Sequence, residues 1–120
     1  MFEIHFYRTK NGDCPIEDFL DALSPKLRSK SLQTIDYLRT FGNELRDPFS
    51  KKIEWKNESI FELRVKQSNN IIRIFYFFCI GNRIILTNGF VKKTQKTPKK
   101  EIEKAIKLKK DYLKRDNEGE

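Results

Sequence analysis

The sequence has few of the side chains that small enzymes and metalloproteins usually depend on. It contains one histidine, His5, and two cysteines, Cys14 and Cys79, which lie far apart with no CxxC spacing. This distribution argues against a disulfide framework and against a zinc site. His5 lies in an apolar and aromatic stretch, residues 2–7, where a histidine is more often structural than catalytic. We therefore expect neither a metal centre nor another cofactor.

Long apolar segments are also missing. No apolar run approaches the ~20 residues that a membrane-spanning helix requires. Residues 1–7 lack the basic region and following apolar block that mark a signal peptide. We therefore expect a cytoplasmic protein that does not bind membranes.

The composition describes a small, basic and aromatic-rich protein. Its 120 residues include ten Phe and one Trp, which argues against disorder. A chain of this length buries a core without staples, so we expect one domain over residues 1–120. The net charge of +8 favours a polyanionic partner, such as nucleic acid or an acidic protein. A merely soluble basic protein is the alternative that charge alone leaves open.

The order of predicted elements indicates an α+β fold. Turn residues and apolar periodicity predict a strand, two helices, a candidate short strand, three further strands and a last helix. The second helix begins at Ser24-Pro25 and ends at Gly42, as an N-cap, a first-turn proline and a C-terminal glycine indicate. We expect an antiparallel sheet of four to five strands, with both N-terminal helices packed on one face, and a C-terminal helix. The strands are placed at residues 2–7, 51–55, 60–66, 71–80 and 83–91, and the last helix at residues 99–115.

The strands between residues 60 and 98 predict a cluster of cations. With Ser68-Asn69 as the first turn, antiparallel pairing sets Arg64 against Arg73. With Gly81-Asn82 as a two-residue second turn, pairing sets Phe90 against Arg73, and Lys92 lies beside them on the same face. Like charges that are directly opposed destabilise a sheet. The three cations therefore either splay into water or bind an anion.

The same register divides the apolar side chains between two faces. It sets Asn88 against Phe75, near the cations. The face that carries the cations at one end is expected to be apolar at its other end, with Leu86 in this apolar part. For Trp55, a core position is favoured over a base-stacking platform. The face packed by helices is expected to hold Phe61, Leu63, Val65, Ile72, Ile74, Tyr76, Phe78, Ile80, Ile85 and Val91.

Several segments resemble those of a known family. They read IFELR at residues 60–64, IRIFY at residues 72–76 and LTNGFVKKTQKTP at residues 86–98. Together they resemble the phage-derived, HigB-type branch of the RelE/ParE toxin superfamily. The run at residues 89–98, followed by Ala105 in a basic helix, is the most specific part. The order of elements agrees along nearly the whole chain.

The resemblance implies the toxin of a type II toxin–antitoxin pair. The HigB and RelE branches resemble one another in cutting mRNA on the ribosome without a metal. A cognate antitoxin, expected to be a helix-turn-helix protein, masks the toxin and alone brings it to operator DNA. The resemblance places Arg73 at the arginine that contacts the scissile phosphate and Arg64 at the arginine of the preceding strand. Lys92 and Lys93 fall at the basic pair after the last strand.

The chemistry of RNA cleavage gives these residues distinct roles. The 2′-OH is an internal nucleophile, and the forked cations Arg64 and Arg73 suit the charge that develops on the phosphorane. A lysine near other cations has a lowered pKa, so Lys92 or Lys93 suits proton transfer. Glu62 is an alternative base, because it shares a face with Arg64. The predicted RNA-binding residues are Lys56, Asn88, Phe90, which suits stacking on a splayed base, and Lys96.

Two other functions stay open from the sequence. One is a non-nucleolytic inhibitor similar to the gyrase-directed ParE branch. The other is a plain nucleic-acid-binding domain, which binds with a steep salt dependence and is not toxic.

Overall fold

A computed structural model of the chain describes residues 1–92 and 97–118. Five strands form one sheet: β1 (Glu3–Phe6), β2 (Ser50–Trp55), β3 (Glu58–Gln67), β4 (Asn70–Cys79) and β5 (Arg83–Lys92). Their order across the sheet is β1-β5-β4-β3-β2. Strands β2 to β5 pair antiparallel, as predicted, whereas β1 pairs parallel to β5 at the edge of the sheet. The sheet is therefore mixed.

The helices are α1 (Pro15–Asp21), α2 (Pro25–Phe41) and α3 (Lys99–Glu118), with a 3₁₀ turn at Gly42–Glu44. The α2 helix begins as predicted, because the Ser24 side chain accepts a hydrogen bond from the Leu27 amide. It ends at Gly42, whose φ of 50° suits glycine. A Cβ at this position would lie 2.0 Å from the ring of Phe2, so the site also excludes a side chain. None of the helices among the described residues is long and apolar enough to cross a membrane.

The helices cover both faces of the sheet. One face packs against α1 and α2, and its buried residues include Leu63, Ile72 and Ile74, all fully inaccessible. The other face packs against α3 through a smaller cluster that includes Phe75, Ile85 and Ala105. The predicted α+β class, with two N-terminal helices on one face and a C-terminal helix, is confirmed.

A β-bulge alters part of the predicted pairing of β4 with β5. Near the turn Cys79 pairs with Arg83, so the loop between them has three residues instead of the predicted two. Further along, β5 has two residues, Thr87 and Asn88, opposite the single residue Phe75. The predicted direct pairing of Asn88 with Phe75 is therefore replaced by the bulge. Such an insertion restores the register that the longer loop displaces.

The bulge reverses the predicted faces on the turn side only. Leu86 packs with the α1 and α2 cluster, and Ile85 packs with the α3 cluster, the opposite of the prediction. Ile80, which was predicted to lie in the helix-packed row, is 89% exposed in the loop. Beyond the bulge the predicted register is confirmed: Arg73 pairs with Phe90 and Ile71 with Lys92.

Candidate functional site

The cations from β3, β4 and β5 meet on the face of the sheet that α3 covers. Arg64 pairs with Arg73 across β3 and β4, and Arg73 pairs with Phe90 across β4 and β5. Lys92 pairs with Ile71, two residues along from Arg73 on the same face. The convergence predicted from the hairpin registers is therefore confirmed. We call Arg64, Arg73 and Lys92 the cation cluster.

One buried carboxylate, Glu62, lies inside the cation cluster. Its side chain is 2% exposed and accepts a hydrogen bond from Arg73 Nη1 at 2.8 Å. Thr97 Oγ1 donates to the other carboxylate oxygen at 2.6 Å. Arg64 Nε lies 3.5 Å from the oxygen that Arg73 contacts. A single carboxylate thus faces three cations, and the positive charge around it exceeds its own.

Several nitrogen donors in this site are buried without a hydrogen-bond partner in the part of the chain that the structure describes. They are Arg64 Nε, Arg73 Nε and Asn88 Nδ2. A buried donor without a partner costs about 1–3 kcal/mol of stability, so such groups are uncommon in folded proteins. Donors on two guanidinium groups and an amide suit a ligand with several oxygen acceptors. A phosphate group meets that description.

The surroundings also alter the acid–base chemistry of Lys92. Burial, and then the positive charge of Arg73, lowers the pKa of the Lys92 ammonium below its usual value, whereas Glu62 opposes the shift. Burial likewise lowers the pKa of the Arg73 guanidinium, with Glu62 again opposing. A lysine with a lowered pKa exchanges a proton closer to neutral pH than an ordinary lysine does.

The other predicted site residues differ in their distance from the cation cluster. Asn88 is buried within the bulge and accepts a hydrogen bond from Thr87 Oγ1 at 2.8 Å. Phe90 stacks on Phe75 with ring centroids 5.8 Å apart. Lys56 lies apart from the cluster, in the turn between β2 and β3, with Nζ 5.3 Å from the centroid of the neighbouring Trp55 ring. Lys93 and Lys96 lie outside the described residues.

The structure adds residues to the site that the sequence analysis did not select. Lys51 of β2 pairs with Glu62 of β3, and Asp47 accepts a hydrogen bond from Arg64 Nη1 at 3.0 Å. Thr97 contacts Glu62 although 35 positions separate them. Pairing the candidate strand at residues 51–55 with β3 through the turn at residues 56–57 would have found Lys51. No pattern in the sequence indicates the contact of Thr97.

A groove of about 490 Å³ leads from the cation cluster along β2. We call it the β2 groove. It lies between β2, β3 and the beginning of α3. Its lining is Lys51, Lys52, Ile53, Glu54, Trp55, Glu62, Arg64, Lys92, Thr97, Lys99 and Ile102.

The donors in the site favour an anion over a metal cation. Among the described residues, the carboxylates that contact the cation cluster are the buried Glu62 and the exposed Asp47. Among the described residues, no group of three or more His, Cys, Asp or Glu side chains is placed to hold a metal ion. Positive side chains around one carboxylate repel a metal ion and attract phosphate oxygens.

Comparison with protein families agrees with this geometry. The family model described as Phage derived protein Gp49-like (DUF891) matches residues 18–110. The chain belongs to this Gp49-like family. The family is the HigB-like toxin branch of the RelE/ParE superfamily, so the resemblance seen in the sequence is confirmed. The matched segment includes the cation cluster, Glu62 and Thr97.

Membership places the chain among RelE-like toxins, which are typically endoribonucleases, and it implies a cognate antitoxin. A separate comparison with curated proteins finds no match.

Proposed function

We propose that this protein is the toxin of a type II toxin–antitoxin pair and inhibits translation by cutting mRNA on the ribosome. The observation that carries the proposal is the cation cluster, in which buried donors on Arg64, Arg73 and Asn88 have no hydrogen-bond partner among the described residues. The proposed substrate is a phosphodiester of single-stranded mRNA. The protein acts in the cytoplasm, as one domain over residues 1–120, and the cleavage requires no metal.

The proposed reaction uses the nucleophile that RNA itself carries. The 2′-oxygen attacks the adjacent phosphorus, a new bond forms between them, and the bond from phosphorus to the 5′-oxygen breaks. The proton lost by the 2′-OH is replaced by one gained at the 5′-oxygen. Arg64 and Arg73 stabilise the negative charge on the phosphorane, because their guanidinium groups are permanently charged and offer several N–H donors.

Lys92 is the proposed group for proton transfer. Its pKa is lowered by burial and by Arg73, and its position on β5 places it on the same face as the two arginines. Lys93, from the same basic pair, is the second candidate. Either lysine serves as an acid toward the 5′-oxygen or, once deprotonated, as a base toward the 2′-OH.

Glu62 has a different role in the resting protein. Both of its carboxylate oxygens already accept hydrogen bonds, one from Arg73 and one from Thr97. It therefore orients the Arg73 guanidinium, and it reaches a substrate proton only when one of these partners moves. We retain it as the alternative base in that rearranged state.

The ribosome supplies what the protein lacks. Without an imidazole in the described site, the chain depends on alignment of the 2′-oxygen, phosphorus and leaving oxygen, and fixed alignment contributes much of the rate in such reactions. The proposed RNA-binding residues Asn88 and Phe90 lie beside the cluster, and Lys56 and Lys96 extend the contacts. The cognate antitoxin, proposed to be a helix-turn-helix protein, masks the toxin and carries it to operator DNA.

The test replaces Arg73 and maps mRNA ends on translating ribosomes. We expect Arg73→Ala to reduce the cleavage rate by about 100-fold or more, as loss of one preorganised donor to an oxyanion typically does. Because Arg73→Ala leaves Glu62 buried without its partner, Arg73→Lys is measured beside it, with circular dichroism to confirm folding. Lysine keeps the charge but loses the fork, so a folded Arg73→Lys protein should also cut slowly.

The matched control is Arg83→Ala. Arg83 also projects from the sheet, and it contacts Tyr112 and Asp116 of α3 outside the cation cluster. Its loss should leave cleavage within a few-fold of wild type. Wild-type cleavage by a folded Arg73→Ala protein would refute the assignment. DNA damage with intact mRNA would favour a gyrase-directed inhibitor, and salt-dependent binding without toxicity would favour a plain nucleic-acid-binding domain.

A further inference from the structure

We propose that the β2 groove binds a nucleotide that flanks the cleaved bond, with its base stacked on Trp55. The inference rests on the proposed function, since it concerns the same RNA strand. It goes beyond it by giving the chain a base-binding subsite on β2, outside the cation cluster. The sequence analysis favoured a core position for Trp55. In the structure Trp55 is partly buried against the α3 cluster, and it also lines the β2 groove.

The geometry of β2 connects Trp55 to the cation cluster. Lys51, Ile53 and Trp55 alternate along the strand, so their side chains share one face. Lys51 pairs with Glu62, and Trp55 pairs with Glu58. Trp55 follows Lys51 by four positions along the strand, a distance of about 13 Å. A short stretch of extended RNA leaving the cluster along β2 therefore reaches the indole ring.

The charges along the groove suit a phosphate backbone. Among the described residues, five cationic side chains and two carboxylates line it. The Glu62 carboxylate is taken by Arg73 and Thr97, and Glu54 lies 3.7 Å from Lys52 Nζ. The remaining charge is positive. A groove of this kind that also contains an aromatic ring has the two features of single-strand binding sites. The five cations are Lys51, Lys52, Arg64, Lys92 and Lys99.

The contacts of Trp55 indicate that its ring is available to a ligand. The residue is only partly buried, at the margin of the α3 cluster. The Nζ atoms of Lys56 and Lys99 lie 5.3 and 5.9 Å from its ring centroid. Cation–π contacts of this type are weak at exposed positions. A base that stacks on the ring can displace an ammonium group, which then pairs with a phosphate.

A second hollow makes a useful comparison. It has a volume of about 390 Å³ and includes the 46% exposed Phe49 beside Arg64. Phe49 therefore offers an aromatic control close to the same arginine. Its described lining holds four cations, Lys30, Arg64, Lys66 and Arg73, and no carboxylate. Charge therefore does not separate it from the β2 groove, and the two hollows are distinguished by substituting Trp55 and Phe49.

The single tryptophan of the chain makes the proposal directly measurable. Full-length protein is titrated with a short single-stranded RNA in which 2′-O-methyl groups prevent cleavage. Binding is followed by the anisotropy of an end label, and stacking by quenching of tryptophan fluorescence. We expect quenching that saturates together with the anisotropy. A series of oligonucleotides with one abasic position each should contain one that still binds but no longer quenches.

Two substitutions test the same point by affinity. We expect Trp55→Leu to weaken binding by about ten-fold, as loss of a stacking side chain does, and Trp55→Phe to restore most of it. Phe49→Leu should bind as wild type. Unfolding midpoints are measured for each variant, and if Trp55→Leu does not fold, quenching of the wild-type protein by the abasic series decides the point instead.

The contrary results are distinct from failure of the proposed function. Binding by anisotropy without quenching, or a loss of affinity in Phe49→Leu instead of Trp55→Leu, overturns the subsite while leaving cleavage intact. Quenching by an acidic peptide, with no effect of any abasic position, would assign the groove to a protein partner and also overturn it. Failure of the proposed function would instead appear as mRNA that stays intact on ribosomes treated with the wild-type protein, and failure of its site assignment as cleavage that does not depend on Arg73.

Discussion

The two faces of the sheet are formed by the same strands but differ in the polarity of the side chains that they bury. The face under α1 and α2 is apolar at its centre, where Leu63, Val65, Ile72 and Ile74 are at most 1% exposed. The face under α3 is apolar at one end, around Phe77 and Ile85, and buries Glu62, Arg73 and Lys92 at the other. Burying charged groups lowers stability unless the groups are paired. We therefore expect the face under α3 to stabilise the fold less than the face under α1 and α2 does.

The two faces are linked residue by residue. Arg64 lies between Leu63 and Val65, and Arg73 lies between Ile72 and Ile74. The four apolar neighbours are at most 1% exposed on the opposite face. Side chains alternate along a strand, so each arginine is anchored by the core behind it. The comparison indicates that the closed face holds the charged face in position.

Removing Glu62 should leave the buried cations of the face under α3 without their carboxylate. We expect this change to cause the largest loss of unfolding free energy. Glu62→Ala leaves Arg73 buried without its carboxylate, which typically costs about 3–5 kcal/mol of unfolding free energy. Inorganic phosphate should restore part of the loss, because an anion that binds only the folded state stabilises it. Urea unfolding with and without phosphate measures both effects.

The control for this change is Glu54→Ala, on the exposed side of the neighbouring strand. Its carboxylate is 79% exposed, so its loss should change stability by no more than about 0.5 kcal/mol. If phosphate stabilises the Glu62→Ala protein no more than it stabilises wild type, the cluster does not bind the anion in place of the carboxylate.

Gly89 lies close to both Phe19 of α1 and the backbone of Arg73. A side chain at this position should cause an intermediate loss of unfolding free energy. A Cβ on Gly89 would lie 2.7 Å from the ring of Phe19 in α1 and 3.1 Å from the backbone oxygen of Arg73. We expect Gly89→Ala to cost about 1–3 kcal/mol through overpacking. It should also slow RNA cleavage, because β5 must move relative to Arg73. Chemical denaturation and ribosomal cleavage assays measure the two consequences.

A smaller ring partner should relieve the overpacking. Combining Gly89→Ala with Phe19→Leu should recover more stability than the two single changes predict by addition. Strictly additive losses would mean that the contact with Phe19 is not what excludes a side chain at Gly89.

The smallest expected effect is a pH dependence of the unfolding free energy that arises from Lys92 on the charged face. The Lys92 pKa is lowered in the folded protein, so between that pKa and the usual value of 10.5 the unfolded chain binds the additional proton. The unfolding free energy should therefore rise with pH through this window. Lys92→Met should lack this rise, as urea titrations between pH 7 and about pH 9.5 would detect.

An exposed lysine provides the comparison for Lys92. Lys52→Met, on an exposed position of β2, should retain the wild-type pH dependence. Equal pH profiles for wild type and Lys92→Met would remove the argument that burial and Arg73 tune this lysine for proton transfer.

The sequence predicted the meeting of Arg64, Arg73 and Lys92 better than it predicted the rest of the sheet. The turn at Ser68-Asn69 set the register of β3 and β4, and with it the pairing of Arg64 with Arg73. The bulge at Thr87 and Asn88 was missed for a physical reason. Residues 71–80 are apolar on both faces apart from Arg73, since helices cover both sides of the sheet. Alternation of polar and apolar residues, which usually reveals the register, is therefore absent there.

Other misses concern contacts between distant segments. Thr97 contacts Glu62, and Lys51 lies opposite Glu62 on β2, only because the start of α3 and strand β2 flank β3 in the folded chain. Local spacing carries no information about such meetings. The family resemblance located the arginines and the lysine but did not include these neighbours.

The position of β2 at the free margin of the sheet has a consequence for solubility. An outermost strand offers its backbone to strands of other molecules, and charged side chains are a common protection against such aggregation. Lys51 and Lys52 are both exposed on this strand. We therefore expect the lysines that line the proposed path for RNA also to keep copies of the protein apart, so that neutralising them promotes self-association as well as weakening the proposed RNA binding.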